Sequence, residues 1–226
     1  MKSIYEIALG SDFSRLHPRI RQRFSLHSQT ETAAVGRGVM TRMWYAKQVA
    51  FPFLHAGASR HLMFPQGGKQ IPFAIENYAY RDKFGRETVA WIRTFRFPNR
   101  IRRFDATMIF SEQRGCIVDY MGTHQHLAVD LDIGVADNGG IRIRSGEQRF
   151  YEKWLQFRFP LAFSGIAEVC EWYDDKSGQY RIDVDVRNRW IGRIFGYSGV
   201  FEVEYFPLKP EWIPLDARPV REERRE

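Results

Sequence analysis

From Ile71 to Phe206 the hydrophobic positions recur every second residue, the period of a strand with one face in a core and one outside. Ile71, Phe73 and Ile75 alternate with polar neighbours, as do Val89, Trp91, Arg93, Phe95 and Phe97. Phe104, Ala106, Met108 and Phe110 alternate with Arg103, Asp105 and Thr107. Further strands are expected at Ile117–Met121, Ile141–Arg144, Val169–Tyr173, Tyr180–Val186 and Val200–Phe206. Between them lie turn-forming stretches: Asp82–Arg86, Glu112–Gly115, Ala136–Gly140 and Asp174–Gly178. Short strands joined by tight turns, with no long helix between, predict a mainly β protein. The expected fold is an antiparallel meander curled into a barrel or half-barrel, which hides the sheet edges. A flat two-sheet sandwich is the alternative.

The first thirty residues read differently. Ser3 and Glu6 have capping-box spacing, Ile4, Ile7 and Ala8 follow at helical spacing, and Gly10 can end the turn. Pro18 suits the first position of a second short helix, with Ile20 and Phe24 on one face. Two such helices cannot bury themselves, so they are expected to plug or cover the sheet. A strand begins near Ala33, where Gly36 and Gly38 suggest a bend or close backbone approach. Residues 46–70, interrupted by Pro52 and Pro65, read as a short helix or irregular cover. The expected organisation is one β-rich domain over 1–206 and an extended or disordered tail over 207–226 that buries little, since Pro210, Pro214 and Pro219 precede a charged run.

Candidate chemistry centres on Thr123–Val135. Read as one strand, one face carries His124, His126, Ala128, Asp130 and Asp132, and the other Leu127, Val129, Leu131 and Ile133. Two histidines at i, i+2 project alike and can share a metal. Asp130 would lie well beyond ligand reach of His124 along a straight strand, and no histidine follows His126. The expectation is therefore a hydrogen-bonded pair with no metal and no cofactor. The formal charge is +7, with Arg93, Arg96, Arg100, Arg102 and Arg103 crowding one hairpin end. That admits contact with an anionic surface, although cross-strand ion pairs explain much of it. No stacking motif, helix-turn-helix or zinc finger points to nucleic acid. Nucleophile-elbow, dinucleotide and P-loop signatures are absent as well. No apolar run approaches the ~20 residues of a membrane span. The two cysteines, Cys116 and Cys170, lack metal or redox spacing and read as reduced thiols of a cytoplasmic protein.

Several stretches carry a family resemblance. They include Leu16-His17-Pro18, Ile75-Glu76-Asn77-Tyr78-Ala79-Tyr80-Arg81-Asp82, Phe84-Gly85-Arg86-Glu87-Thr88, Arg103-Phe104-Asp105-Ala106-Thr107-Met108 and Gly122-Thr123-His124-Gln125-His126-Leu127. Ser145–Tyr151 and Glu171-Trp172-Tyr173-Asp174 fit as well. The chain resembles an uncharacterised bacterial domain-of-unknown-function family that also forms the C-terminal part of the membrane protein YndJ. The same family is found fused to saccharopine-dehydrogenase-like reductases. The resemblance implies an accessory or substrate-handling role by association, and it transfers no catalytic residue.

The leading expectation is a barrel-like module that binds a small, largely apolar molecule, because curled sheets of this size can hold a cavity and aromatics reach 15 %. Trp91 and Phe95 would line it, while Arg93, His124, His126 and Asp130 would orient the ligand. One alternative is an enzyme using the His124/His126/Asp130 face for acid–base or metal chemistry. Another is an interaction or membrane-surface module working through the basic hairpin end. The sequence sets no oligomeric state.

Overall fold

A computed structural model describes residues 1–46, 60–159 and 165–226. Of the expected helix or cover at 46–70, residues 47–59 lie outside the described residues, 60–67 are irregular, and a strand begins at Gly68. Ser3 caps helix α1 (Ile4–Leu9), its side chain accepting from the Glu6 N–H, and Gly10 ends the helix at φ +55°. A 3₁₀ turn over Gly10–Arg15 leads to α2 (Pro18–Phe24), which carries proline in its first turn.

Among the described residues eleven strands follow: β1 (Thr32–Tyr45), β2 (Gly68–Arg81), β3 (Glu87–Phe97), β4 (Arg100–Ser111), β5 (Cys116–Met121), β6 (Leu127–Val135), β7 (Ile141–Glu152), β8 (Leu155–Phe159), β9 (Ile166–Asp174), β10 (Gln179–Asn188) and β11 (Gly192–Pro207). Every pairing is antiparallel. β1 pairs with both β2 and β11, and β6 pairs with β7, so ten strands close into a barrel. The first half of β7 pairs with β9, while its second half carries β8 outside the ring. The barrel, rather than the sandwich, is thus the architecture. Closure satisfies every inner edge with a neighbouring strand.

Gly38 and Gly199 show why the β1–β11 seam needs glycine. A Cβ on Gly38 would meet the Val200 carbonyl oxygen at 2.0 Å, and one on Gly199 would meet that of Val39 at 2.3 Å.

The apolar parity of each strand of the ring faces the lumen, and α1 and α2 pack into it. Ile4, Tyr5, Leu9, Phe13, Leu16, Ile20 and Phe24 belong to one core with Phe73, Trp91, Phe95, Met108, Ile117, Val129, Ile182 and Phe201. Tyr5 meets Phe24 edge-on at 4.9 Å between ring centroids, and Phe24 meets Trp91 at 5.7 Å. The helices are therefore a plug. Towards the opposite end of the lumen, Phe64 packs against Phe95 at 5.2 Å and Phe195 at 5.6 Å.

The tail does not bury little. Ile213 and Ala217 cover Tyr78, Tyr80 and Ile92 on the outside of β2 and β3. Further on, the Tyr120 and Tyr151 hydroxyls donate to the carbonyls of Arg225 and Glu226. The sequence argument missed this because the apolar residues that receive the tail lie on the outward parity of strands already assigned a core face.

Candidate functional site

Asn77, Arg93, Asp119 and Glu171 are polar residues on the inward, apolar parity of the barrel wall. Asn77 sits between Ile75 and Ala79 on β2, and Arg93 between Trp91 and Phe95 on β3. Asp119 lies between Ile117 and Met121 on β5, and Glu171 between Val169 and Tyr173 on β9. All four are buried, as is Arg23, which α2 brings to Glu171 and Asn77. Arg23 Nε donates to Glu171 Oε1, and its Nη1 donates to Asn77 Oδ1 at 2.7 Å. Its guanidinium also lies over the Trp91 and Phe201 rings, 5.8 and 5.3 Å from their centroids. Arg93 Nε donates to the Phe104 carbonyl at 3.2 Å, with its guanidinium 3.8 Å from the Phe104 ring centroid. The Tyr5 hydroxyl donates to Met108 Sδ at 3.2 Å beside the cluster.

This lumen cluster leaves polar atoms unspent. Arg23 Nη2, Glu171 Oε2 and Asp119 Oδ1 are buried with no hydrogen-bond partner. A buried polar group without a partner costs on the order of 1–3 kcal/mol, so these atoms make the lumen cluster the candidate site. Burial pushes the Asp119 carboxyl up to about 7, against the opposing pull of the Arg93 charge and a backbone bond from Thr107. Burial likewise raises Glu171, with Arg23 pulling it back. The cluster thus combines a fixed cation, an acid that titrates near neutrality and an aromatic wall.

The residues singled out from the sequence do not converge. Arg93, Trp91 and Phe95 are inside. Trp91 and Phe95 contact the plug, Phe64, Phe73 and Tyr197 rather than lining open space. Asp130 is on the outside of β6, where Arg114 holds it at 2.6 Å and Arg149 at 2.6 Å. His124 and His126 precede β6, in a loop turned by Gly122 at φ +74° and Gln125 at φ +51°. Their rings stack with centroids 5.6 Å apart. His126 Nδ1 lies 3.0 Å from the Tyr151 carbonyl oxygen and 2.9 Å from Glu152 Oε2. Arg221 of the tail donates to the His124 and Tyr151 carbonyls, both at 3.2 Å. Burial and then the charge of Arg60 lower the His124 pKa. The pair is a docking point for the tail. Among the described residues no three His, Cys, Asp or Glu side chains gather as a metal site.

Asn77, Asp119, Glu171 and Arg23 were missed by sequence reasoning, yet a signal was present. On each strand a polar residue interrupts the apolar parity, and the same logic that selects core residues selects these as exceptions. The misreading of Thr123–Val135 came from extending the alternation through a loop.

The geometry defines a class: a ten-stranded antiparallel barrel plugged by its own N-terminal helices, with a polar cluster where plug meets wall. The family model described as "Domain of unknown function (DUF4166)" matches residues 16–201, and the chain belongs to that family. It is 31 % identical over 204 residues to "Uncharacterized protein YndH" of Bacillus subtilis (strain 168), covering 90 % of this chain and 98 % of that protein. No solved structure matches. The resemblance to an uncharacterised bacterial family holds, and no helix among the described residues is long and apolar enough to cross a membrane.

Proposed function

We propose that this barrel binds a small molecule in its lumen, between the helical plug and the walls of β2, β3, β5 and β9. The observation that carries the reading is the set of three unpartnered buried atoms, Arg23 Nη2, Glu171 Oε2 and Asp119 Oδ1. A ligand that answers them accepts from the guanidinium and donates to a carboxylate, with a small apolar part against Trp91 and Phe201. A polar ligand thereby replaces the expectation of a largely apolar one. The aromatic walls already contact one another, so the unspent recognition is polar. Small hydroxy acids, amides and amino alcohols have the required donor and acceptor.

The rival enzyme reading drew on His124, His126 and Asp130, and these occupy a loop and an outer face without a shared focus. The unpaired thiols of Cys116 and Cys170 support a reducing, cytoplasmic setting.

The test is a thermal-shift screen of the purified chain against a panel of those fragment classes. At least one class should raise the midpoint, since a ligand that binds only the folded state stabilises it by mass action. Asp119→Asn should weaken that response while leaving the far-UV spectrum unchanged. A panel that shifts nothing, or shifts wild type and variant equally, would remove the lumen site.

A further inference from the structure

We propose that the end of the barrel opposite the plug entrance docks peripherally on an anionic lipid surface. The strand registers place the β3–β4, β7–β8 and β10–β11 hairpin tips at that end, along with the β5–β6 loop, which the tail contacts. Arg144 pairs with Glu168, Ile166 with Arg187, and Asn188 with Gly192, so the β7–β8 and β10–β11 tips lie together. Phe195 pairs with Tyr45, Met43 with Gly68, Phe73 with Phe95, and Phe97 with Arg100, which brings the β3–β4 tip to the same end.

Each tip shows the same composition. Ile101 is exposed beside Arg100, Trp154 and Leu155 beside Lys153, and Trp190 and Ile191 beside Arg189. Trp154 is 87 % exposed and Trp190 73 %; the tail also exposes Trp212 and Leu215, but at the strand turns only these tips pair exposed indoles with unpaired basic residues among the described residues. The Arg189 guanidinium lies 5.4 Å from the Trp190 ring centroid. Across residues 96–103, 152–158 and 186–193 nine basic residues stand against one acid, Glu152. Part of that charge is held internally: Arg103 by Asp105 and Asp216, Arg187 and Arg193 by Asp185, and Arg158 by Glu147. Arg100, Lys153 and Arg189 form no ion pair among the described residues.

The opposite end differs. Its turns at 82–86, 112–115, 136–140 and 174–178 carry five acids and four bases, and Phe84 is their one large apolar side chain. The asymmetry selects a partner that is anionic and takes up indole and aliphatic tips. Indoles settle at the headgroup level of a bilayer, and each nearby Lys or Arg strengthens contact with anionic lipid. One composition repeated on three separate turns suits a chemically uniform surface better than a protein partner, whose contacts vary from point to point. The outer wall carries pairs such as Arg37–Glu204 rather than a lipid-facing apolar band, so the contact is peripheral.

The experiment is co-sedimentation of the full chain with vesicles of phosphatidylcholine alone and of phosphatidylcholine with phosphatidylglycerol. The chain should pellet with the anionic vesicles only. Arg100→Gln combined with Arg189→Gln should lower affinity on the order of tenfold, as should raised salt. Trp154→Ser combined with Trp190→Ser should do at least the same. Lys83→Gln combined with Lys176→Gln, at the other end, should change nothing. Quenching of tryptophan fluorescence by brominated anionic lipid in the wild-type chain supplies a readout that needs no variant. Absence of pelleting and quenching, equal binding to neutral vesicles, or capture by an acidic protein without vesicle binding would each overturn the proposal.

Discussion

Arg23, on a helix seven residues long, forms its ion pair with Glu171 across the interior of a closed barrel, joining positions 148 residues apart in sequence. Both side chains are almost wholly enclosed. The plug is therefore fixed by a charge pair as well as by apolar packing, and the pair sits beside the atoms that have no partner.

Removing one member of that pair leaves the other charge buried alone. Arg23→Ala and Glu171→Ala should each destabilise the chain by about 3–5 kcal/mol, the range for breaking a buried pair. Arg23→Met combined with Glu171→Leu should cost much less than the sum of the two alanine variants, because no unpaired charge remains. Urea denaturation of the four variants measures this. Additive losses would show that the two residues act independently.

Asp119 gives a pH dependence whose sign is fixed by its environment. Its folded pKa, about 7, lies above the ordinary 3.8. The folded state therefore binds the proton more tightly than the unfolded one. The resulting stabilisation is full below about pH 4 and declines until pH exceeds 7. The difference in unfolding free energy between wild type and Asp119→Asn should fall steadily across that window. A flat difference from pH 4 to 8 would place Asp119 in contact with water. Glu223 acts in the opposite sense. Burial raises it, but bonds from Arg225 and the charges of Arg221 and Arg225 outweigh that and hold it at about 2. Its contribution is present at neutral pH and is lost as pH falls from about 4.5 towards 2.

The tail should matter to stability. Glu223 accepts from Arg225 Nε at 2.8 Å, and its own N–H donates to Gln125 Oε1 at 2.6 Å in the histidine loop. Deleting residues 208–226 exposes Tyr78, Tyr80 and Ile92, and should lower the thermal midpoint by more than about 4 °C. An unchanged midpoint would mean that these contacts contribute nothing net.

The β1–β11 seam predicts a steric effect. Gly199→Ala pushes a methyl into the Val39 carbonyl, and should cost about 1–3 kcal/mol or more in a denaturation experiment. Gly85→Ala provides contrast: its Cβ would meet nothing within 4 Å, and the cost there comes only from φ +79°.

Much of this fold was legible because hairpin signals are local. Asp82–Arg86, Glu112–Gly115, Ala136–Gly140 and Asp174–Gly178 each separate consecutive strands as their turn residues require. Closure was not legible residue by residue. The pairing of Gly38 with Phe201 spans most of the chain, and alternation states only that a strand has two faces. The site was half legible. Arg93 was flagged as a charge on a wall strand, but its companions Asp119 and Glu171 come from strands whose order around the barrel the sequence does not encode locally. His124 and His126 looked like strand residues because their spacing is two. A positive φ at Gln125 breaks the strand there, and glutamine gives no warning of it.

The lumen site is the central claim, and a crystallographic fragment soak tests it at the atoms concerned. With small hydroxy acids, amides and amino alcohols, density for a bound fragment should appear against Arg23 Nη2 together with Glu171 Oε2 or Asp119 Oδ1, and should disappear in Asp119→Asn crystals. Water alone on all three atoms across the whole panel, in crystals of the wild-type chain, would contradict it and reduce the cluster to a hydrated ion pair.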